Sequence, residues 1–140
     1  MSPAETLHGH CLCGQVQVTI SAADTSVGAC HCSTCRRWGG GPLLALECHD
    51  GVQFQGEEHI SVYASSDWAE RGFCKRCGSS LFYRLKPKDV YVISVGAFDD
   101  ATPFKAVCEI YVDAQPPGYA LSGPLERLTE AETIARFMGG

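Results

Sequence analysis

Apolar and polar residues alternate along this chain in short runs whose period is two rather than 3.6. Val16, Val18 and Ile20 alternate with Gln17 and Thr19, so one side of an extended segment would be buried and the other wet. β-Branched and aromatic residues gather in the same way at 43–46, 60–63, 81–85, 90–95 and 107–112. Chain breakers separate these runs: Gly39-Gly40-Gly41-Pro42, Asp50-Gly51, Lys86-Pro87-Lys88-Asp89 and Pro116-Pro117-Gly118. Two segments read as helical. One is a short turn beginning near Ser33; the other spans 130–138, with Thr129 as N-cap and Glu132 completing a capping box. The pattern predicts a mainly β protein with a short C-terminal helix. With no repeat, low-complexity tract or linker in it, 1–140 is expected to form a single domain.

Composition adds exclusions. Apolar residues make up 45% and charged residues 19%, enough to build a core but with no run near the roughly 18 apolar residues of a membrane span. The first ten residues lack the apolar stretch of a secretory leader, so the cytoplasm is the expected compartment. A net charge of −5 argues against a broad nucleic-acid surface; neither nucleic acid nor membrane is expected as a partner. Nothing in the pattern specifies an oligomeric state.

The nine cysteines change the picture most. In a reduced compartment, clustered thiols point to metal or catalysis rather than to a disulfide scaffold, and an odd count pairs badly. Cys74-Lys75-Arg76-Cys77-Gly78 has the form of a zinc knuckle, in which the turn brings both sulfurs to one ion and Gly78 takes a left-handed conformation. A tetrahedral site needs two more ligands. Cys11 and Cys13 are the natural pair, because residues i and i+2 of an extended segment share a side and Gly14 lets the backbone bend round the ion. Four thiolates leave no room for substrate, so this site would be structural.

Cys30-His31-Cys32-Ser33-Thr34-Cys35 offers only three thiolates. Cys30 and Cys32 share a face, and Cys35 returns to them if a helix begins at Ser33. Three ligands and an open fourth position are the pattern of a catalytic zinc; the alternative is closure by Cys48, Cys108, His31 or His49, giving a second structural ion. Zn²⁺ with three thiolates carries a net −1 charge and acidifies bound water less than a tris-histidine site, but a thiol entering the fourth position would still bind as thiolate. The favoured chemistry is therefore addition of a thiol to an electrophile, or its reversal. Arg36 and Arg37 could grip carboxylates of an anionic thiol by forked hydrogen bonds, or could merely offset the cluster's charge. Use of the same cysteines as a thiol–disulfide pair fits less well, because bound zinc suppresses thiol oxidation.

Other candidates have plainer readings. Cys48 and Cys108 suit packing, and Asp99-Asp100 suits a turn. His31, between two ligands, should point away from the ion, and His10 should face solvent or touch a ligand sulfur. Trp38 and Trp68 suit core or pocket walls.

The stretches HCLCGQVQ (10–17), ACHCSTCRRWGG (29–40), FCKRCGSSLFYR (73–84) and VISVGAFDD (92–100) resemble the family of glutathione-dependent formaldehyde-activating enzymes, which also includes centromere protein V. The resemblance is strongest over 10–100. It implies a β-tent fold of twisted antiparallel sheets and two zinc ions per chain. One would be held by Cys11, Cys13, Cys74 and Cys77, the other by Cys30, Cys32 and Cys35 as ligands of the catalytic ion. It also implies a carbon–sulfur lyase with glutathione as small thiol and formaldehyde as small aldehyde, or a non-catalytic module that recruits a macromolecule. Where the family pattern would place a histidine before Ile110 and a tryptophan near Tyr119, this chain has Glu109 and Gly118-Tyr119.

Overall fold

The computed structural model describes residues 5–22 and 24–137, which group into two compact units. Among these, the first unit comprises 5–22, 24–25 and 45–104, the second 26–44 and 105–137.

In the first unit the alternation at 16–20 does what the pattern predicts. Strand β2 (Gln17–Ala22) buries Val18 and Ile20 and pairs antiparallel with β1 (Glu5–His10) and β5 (Val52–Gln55). The rest of the unit is an antiparallel run. The Ala45–Cys48 part of β4 (Leu43–Cys48) pairs with β9 (Val90–Ser94), then come β8 (Ser80–Leu85), β7 (Ala69–Cys74) and β6 (Ile60–Ala64). Val16, Val18, Ile20, Leu46, Leu81, Phe82, Ile93 and Phe98 form its core, and the buried thiols of Cys11, Cys48 and Cys74 pack into it. Cys48 is thus a packing residue; burial, then Glu47 and Asp50, pushes its thiol up to about 11.

The second unit departs from purely antiparallel pairing. Strand β10 (Lys105–Ile110) runs parallel to both β3 (Ser26–Cys30) and β11 (Glu126–Leu128), placing Ile110 opposite Cys30 on one side and Leu128 on the other. Parallel neighbours need connections longer than a hairpin. Here the return from β10 to β11 is the proline- and glycine-rich stretch 111–125. Helix α1 (Ser33–Gly39) starts where a helix was expected and stops at Gly40, whose φ of 87° is a left-handed cap. Helix α2 (Glu130–Phe137) opens on the expected capping box: the Glu132 amide donates to Thr129 Oγ1 at 3.2 Å, and the Thr129 amide to Glu132 Oε1 at 2.9 Å. Met138, the expected last residue, lies outside the described residues. No helix among the described residues is long and apolar enough to cross a membrane.

Candidate metal centres

Two groups of cysteines converge among the described residues, and each group has the membership read from spacing. None of the nine cysteines is in a disulfide. The first group is made of two matching turns. The Gly14 amide donates to the Cys11 carbonyl at 3.0 Å and the Gly78 amide to the Cys74 carbonyl at 2.7 Å, with φ of 81° and 79° at the glycines. A side chain at either glycine would strain the turn that aims its sulfurs. The sulfurs of Cys11, Cys13, Cys74 and Cys77 all lie within 4.8 Å of one another, with Cys11–Cys13 at 3.6 Å and Cys13–Cys74 at 3.8 Å. Four thiolates around an ion at the usual zinc–sulfur distance would be roughly 3.8 Å apart, so the spacing suits a tetrahedral thiophilic ion.

The thiols are also tuned unequally. The Ser79 hydroxyl, 3.2 Å from Cys77 Sγ, and the Ser79 amide bring the Cys77 thiol down to about 5. Backbone amides donate to the other sulfurs, Val16 to Cys11 at 3.3 Å and Cys77 to Cys74 at 3.5 Å. His10 does not reach a sulfur. Its Nδ1 lies 2.6 Å from the Cys11 carbonyl and its Nε2 3.4 Å from Asp99. Asp100 makes the expected turn, accepting from the Thr102 amide and hydroxyl at 3.0 and 2.7 Å.

The second group is Cys30, Cys32 and Cys35, at the join of β3 and α1. Cys32 is the N-cap of α1, and its sulfur accepts from the Cys35 amide at 3.3 Å. This unusual cap is what turns Cys35 back towards the strand. Cys32 and Cys35 crowd the buried Cys30 thiol and push its ionisation strongly upward, with burial adding to the effect. Three thiols packed this closely could ionise together only around a cation, which is the donor chemistry of a metal site. Within the second unit no fourth donor among the described residues joins the group, neither Cys108 nor His31.

Ser33, Arg36 and Arg37 of the same helix, with Gly40, Gly41, Pro116 and Tyr119, line a cleft of about 410 Å³; none of the three cysteines lines it. Both arginines reach it. The Arg36 Nε donates to the His31 carbonyl at 3.0 Å, which fixes the plane of its guanidinium and leaves the two terminal nitrogens for a ligand. Tyr111 follows β10 at a φ of 56°, a conformation costly for a residue with a side chain. Burial raises its phenol above the ordinary value, and the thiols of Cys30, Cys32 and Cys35 add to the shift, which places the ring within their field.

One constellation was invisible in the spacing. His31 is fully buried and, as expected, turned away from the thiols; its Nε2 lies 2.8 Å from Glu109 Oε1 and its Nδ1 2.8 Å from the Tyr119 hydroxyl. Glu109 Oε2 accepts from Arg127 at 2.8 Å. The signal that could have found it is the pair of departures from the family pattern, Glu109 and Tyr119, both of which fall on this one histidine.

A mainly β scaffold with a four-thiol and a three-thiol group defines a cysteine-rich metal-binding class. The model of the family described as "Glutathione-dependent formaldehyde-activating enzyme" matches residues 6–114, and the chain belongs to that family. An uncharacterised lyase of Schizosaccharomyces pombe is 29% identical over 127 residues, covering 90% of this chain and 93% of its own. A Halomonas elongata protein, named as a candidate glutathione-dependent formaldehyde-activating enzyme, is 34% identical over 85 residues, 54% of either chain. A Rhodobacter sphaeroides protein of known crystal structure shares the fold, with a TM-score of 0.60 and 23% identity over 69% of this chain and 92% of that one.

Proposed function

We propose that this protein is a zinc-dependent carbon–sulfur lyase that cleaves or forms thiol–aldehyde adducts of the S-hydroxymethylglutathione type. The observation that carries the reading is the three-thiol group of Cys30, Cys32 and Cys35, which no fourth donor of its own unit joins among the described residues, on a helix whose Arg36 and Arg37 line a cleft. A zinc ion bound there would supply an open coordination position and the positive charge that holds an incoming sulfur as thiolate.

The chain's own residues do the rest. Arg36, braced against the His31 carbonyl, and Arg37 beside it bind the carboxylates of an anionic thiol. Holding the thiol by its remote end presents its sulfur to the cysteine group in one orientation, which is where most of the rate advantage of a bound reactant arises. In the cleavage direction the adduct's hydroxyl loses its proton as the C=O bond forms. The C–S electron pair leaves with sulfur, and the net result is a proton moved from oxygen to sulfur. The group of Cys11, Cys13, Cys74 and Cys77 would hold a structural zinc that acts on folding alone.

The direct test is magnetisation-exchange NMR of glutathione with formaldehyde. Exchange should quicken on adding stoichiometric protein and return to the uncatalysed rate with Cys35→Ser. An unchanged rate with wild-type protein would end the glutathione–formaldehyde assignment. The alternative, a module with two structural ions, requires a fourth protein ligand on the ion of Cys30, Cys32 and Cys35, which X-ray absorption at the zinc edge of Cys77→Ser protein would reveal as a closed four-ligand protein shell.

A further inference from the structure

A side chain that is not itself a ligand joins the two turns of the four-thiol group. It belongs to Ser79, whose backbone closes the knuckle: the Cys74 amide donates to the Ser79 carbonyl at 3.0 Å. The Ser79 hydroxyl reaches in two directions. The Leu12 amide, 67 positions away in the first turn, donates to Ser79 Oγ at 3.0 Å, and Cys77 Sγ lies 3.2 Å from the same oxygen. A cysteine bound to a metal is a thiolate and can only accept, so with an ion in place the serine's single hydrogen points at Cys77. The hydroxyl then accepts from the turn that carries Cys11 and Cys13 and donates to a sulfur of the turn that carries Cys74 and Cys77. Zn²⁺ with four thiolates carries a surplus of two negative charges, which hydrogen-bond donors to the sulfurs disperse. The Val16 and Cys77 amides serve Cys11 and Cys74 in this way, at 3.3 and 3.5 Å, but backbone amides are present whatever the side chains are. The Ser79 hydroxyl is a donor that depends on the residue type.

We propose that Ser79 is a positioning residue of the four-thiol centre, whose hydroxyl locks the turn at Leu12 to the Cys77 sulfur and so helps the centre retain its ion. It acts through Cys77 without touching the metal. The inference rests on the reading of this group as a structural zinc site and is independent of the chemistry at Cys30, Cys32 and Cys35. Because the lock joins segments far apart in the chain, it orders the two pairs of ligands relative to each other and reduces the ordering that the ion must otherwise impose. Partners that hold a metal ligand from behind typically change metal affinity by about 10- to 100-fold.

The test uses the full chain loaded with ¹¹³Cd²⁺, a thiophilic substitute for zinc whose NMR signal separates a four-sulfur from a three-sulfur site. In competition with a chelator, the four-sulfur signal of Ser79→Ala should disappear at a chelator concentration about tenfold lower than in wild-type protein. Its chemical shift should also move, because one sulfur has lost a donor, while the three-sulfur signal stays in place. Ser79→Thr, which keeps the hydroxyl, should stay close to wild type in both respects. Hydrogen exchange in the wild-type, metal-loaded protein needs no variant to fold: the Leu12 amide should be protected although Leu12 is 84% exposed. Unchanged chelator resistance in Ser79→Ala, an equal loss in Ser79→Thr, or fast exchange at Leu12 would overturn the inference and leave the metal reading standing. Absence of a four-sulfur signal from wild-type protein would overturn the two together.

Discussion

At the scale of single residues, the functional groups are set by what each atom can donate or accept. Glu109 is 1% exposed and holds two partners, His31 and Arg127. Glu109→Ala would leave the buried His31 Nε2 without its partner, and urea unfolding should register a loss of about 1–3 kcal/mol, the usual cost of stranding a buried polar group. Glu109→Gln keeps an acceptor towards His31 and should lose clearly less. Arg36 illustrates how one contact narrows a role: with its Nε spent on the His31 carbonyl, it can offer a ligand only its forked end. Replacing it by lysine keeps the charge but not the fork or the brace. Calorimetry should then show thiol-carboxylate affinity falling about tenfold or more, as expected on losing a charge-assisted bidentate contact.

At the scale of elements, local rules and close packing each leave a point that can be tested. The capping box at α2 works as written in the sequence, and Thr129→Ala should cost about 1 kcal/mol in chemical denaturation. The β7–β8 pair carries a constraint of another kind. A Cβ at Gly72 would stand 2.3 Å from the ring of Phe82, which is itself buried in the core and bracketed by Phe54 and Tyr91. Gly72→Ala should therefore destabilise the fold by about 1–3 kcal/mol, the range for overpacking, although alanine is otherwise harmless in a strand. Nothing in the strand pattern marks Gly72, because the clash comes from the neighbouring strand.

At the scale of the whole molecule, the two cysteine groups close chain segments of very different length. Cys13 and Cys74 meet across a separation of 61 residues, whereas the second group lies entirely within 30–35. A cross-link gains with the logarithm of the loop it closes, so the longer closure is worth about 2 kcal/mol more before ligand geometry is considered. Metal analysis should find two zinc ions per wild-type chain and one in either Cys77→Ser or Cys35→Ser. Thermal unfolding should fall much further for Cys77→Ser. Equal destabilisation by the two substitutions would contradict the division into a structural and a functional ion.

The sequence alone determined a good deal here because the relevant signals are local. Period-two alternation fixed the β class, and β2 was legible to within a residue or two. Thr129 and Glu132 announced the start of α2. Cysteine spacing with Gly14 and Gly78 gave the membership of both thiol groups, since a metal knuckle is a turn and turns are written in consecutive residues. What only the tertiary structure decided depends on residues far apart in the chain. The parallel pairing of β10 with β3 brings Glu109 to His31, 78 positions away, and the return through 111–125 brings Tyr119, 88 positions away. No periodicity or spacing rule encodes such a meeting. That is why the cysteines could be read in advance and the meeting of His31, Glu109 and Tyr119 could not.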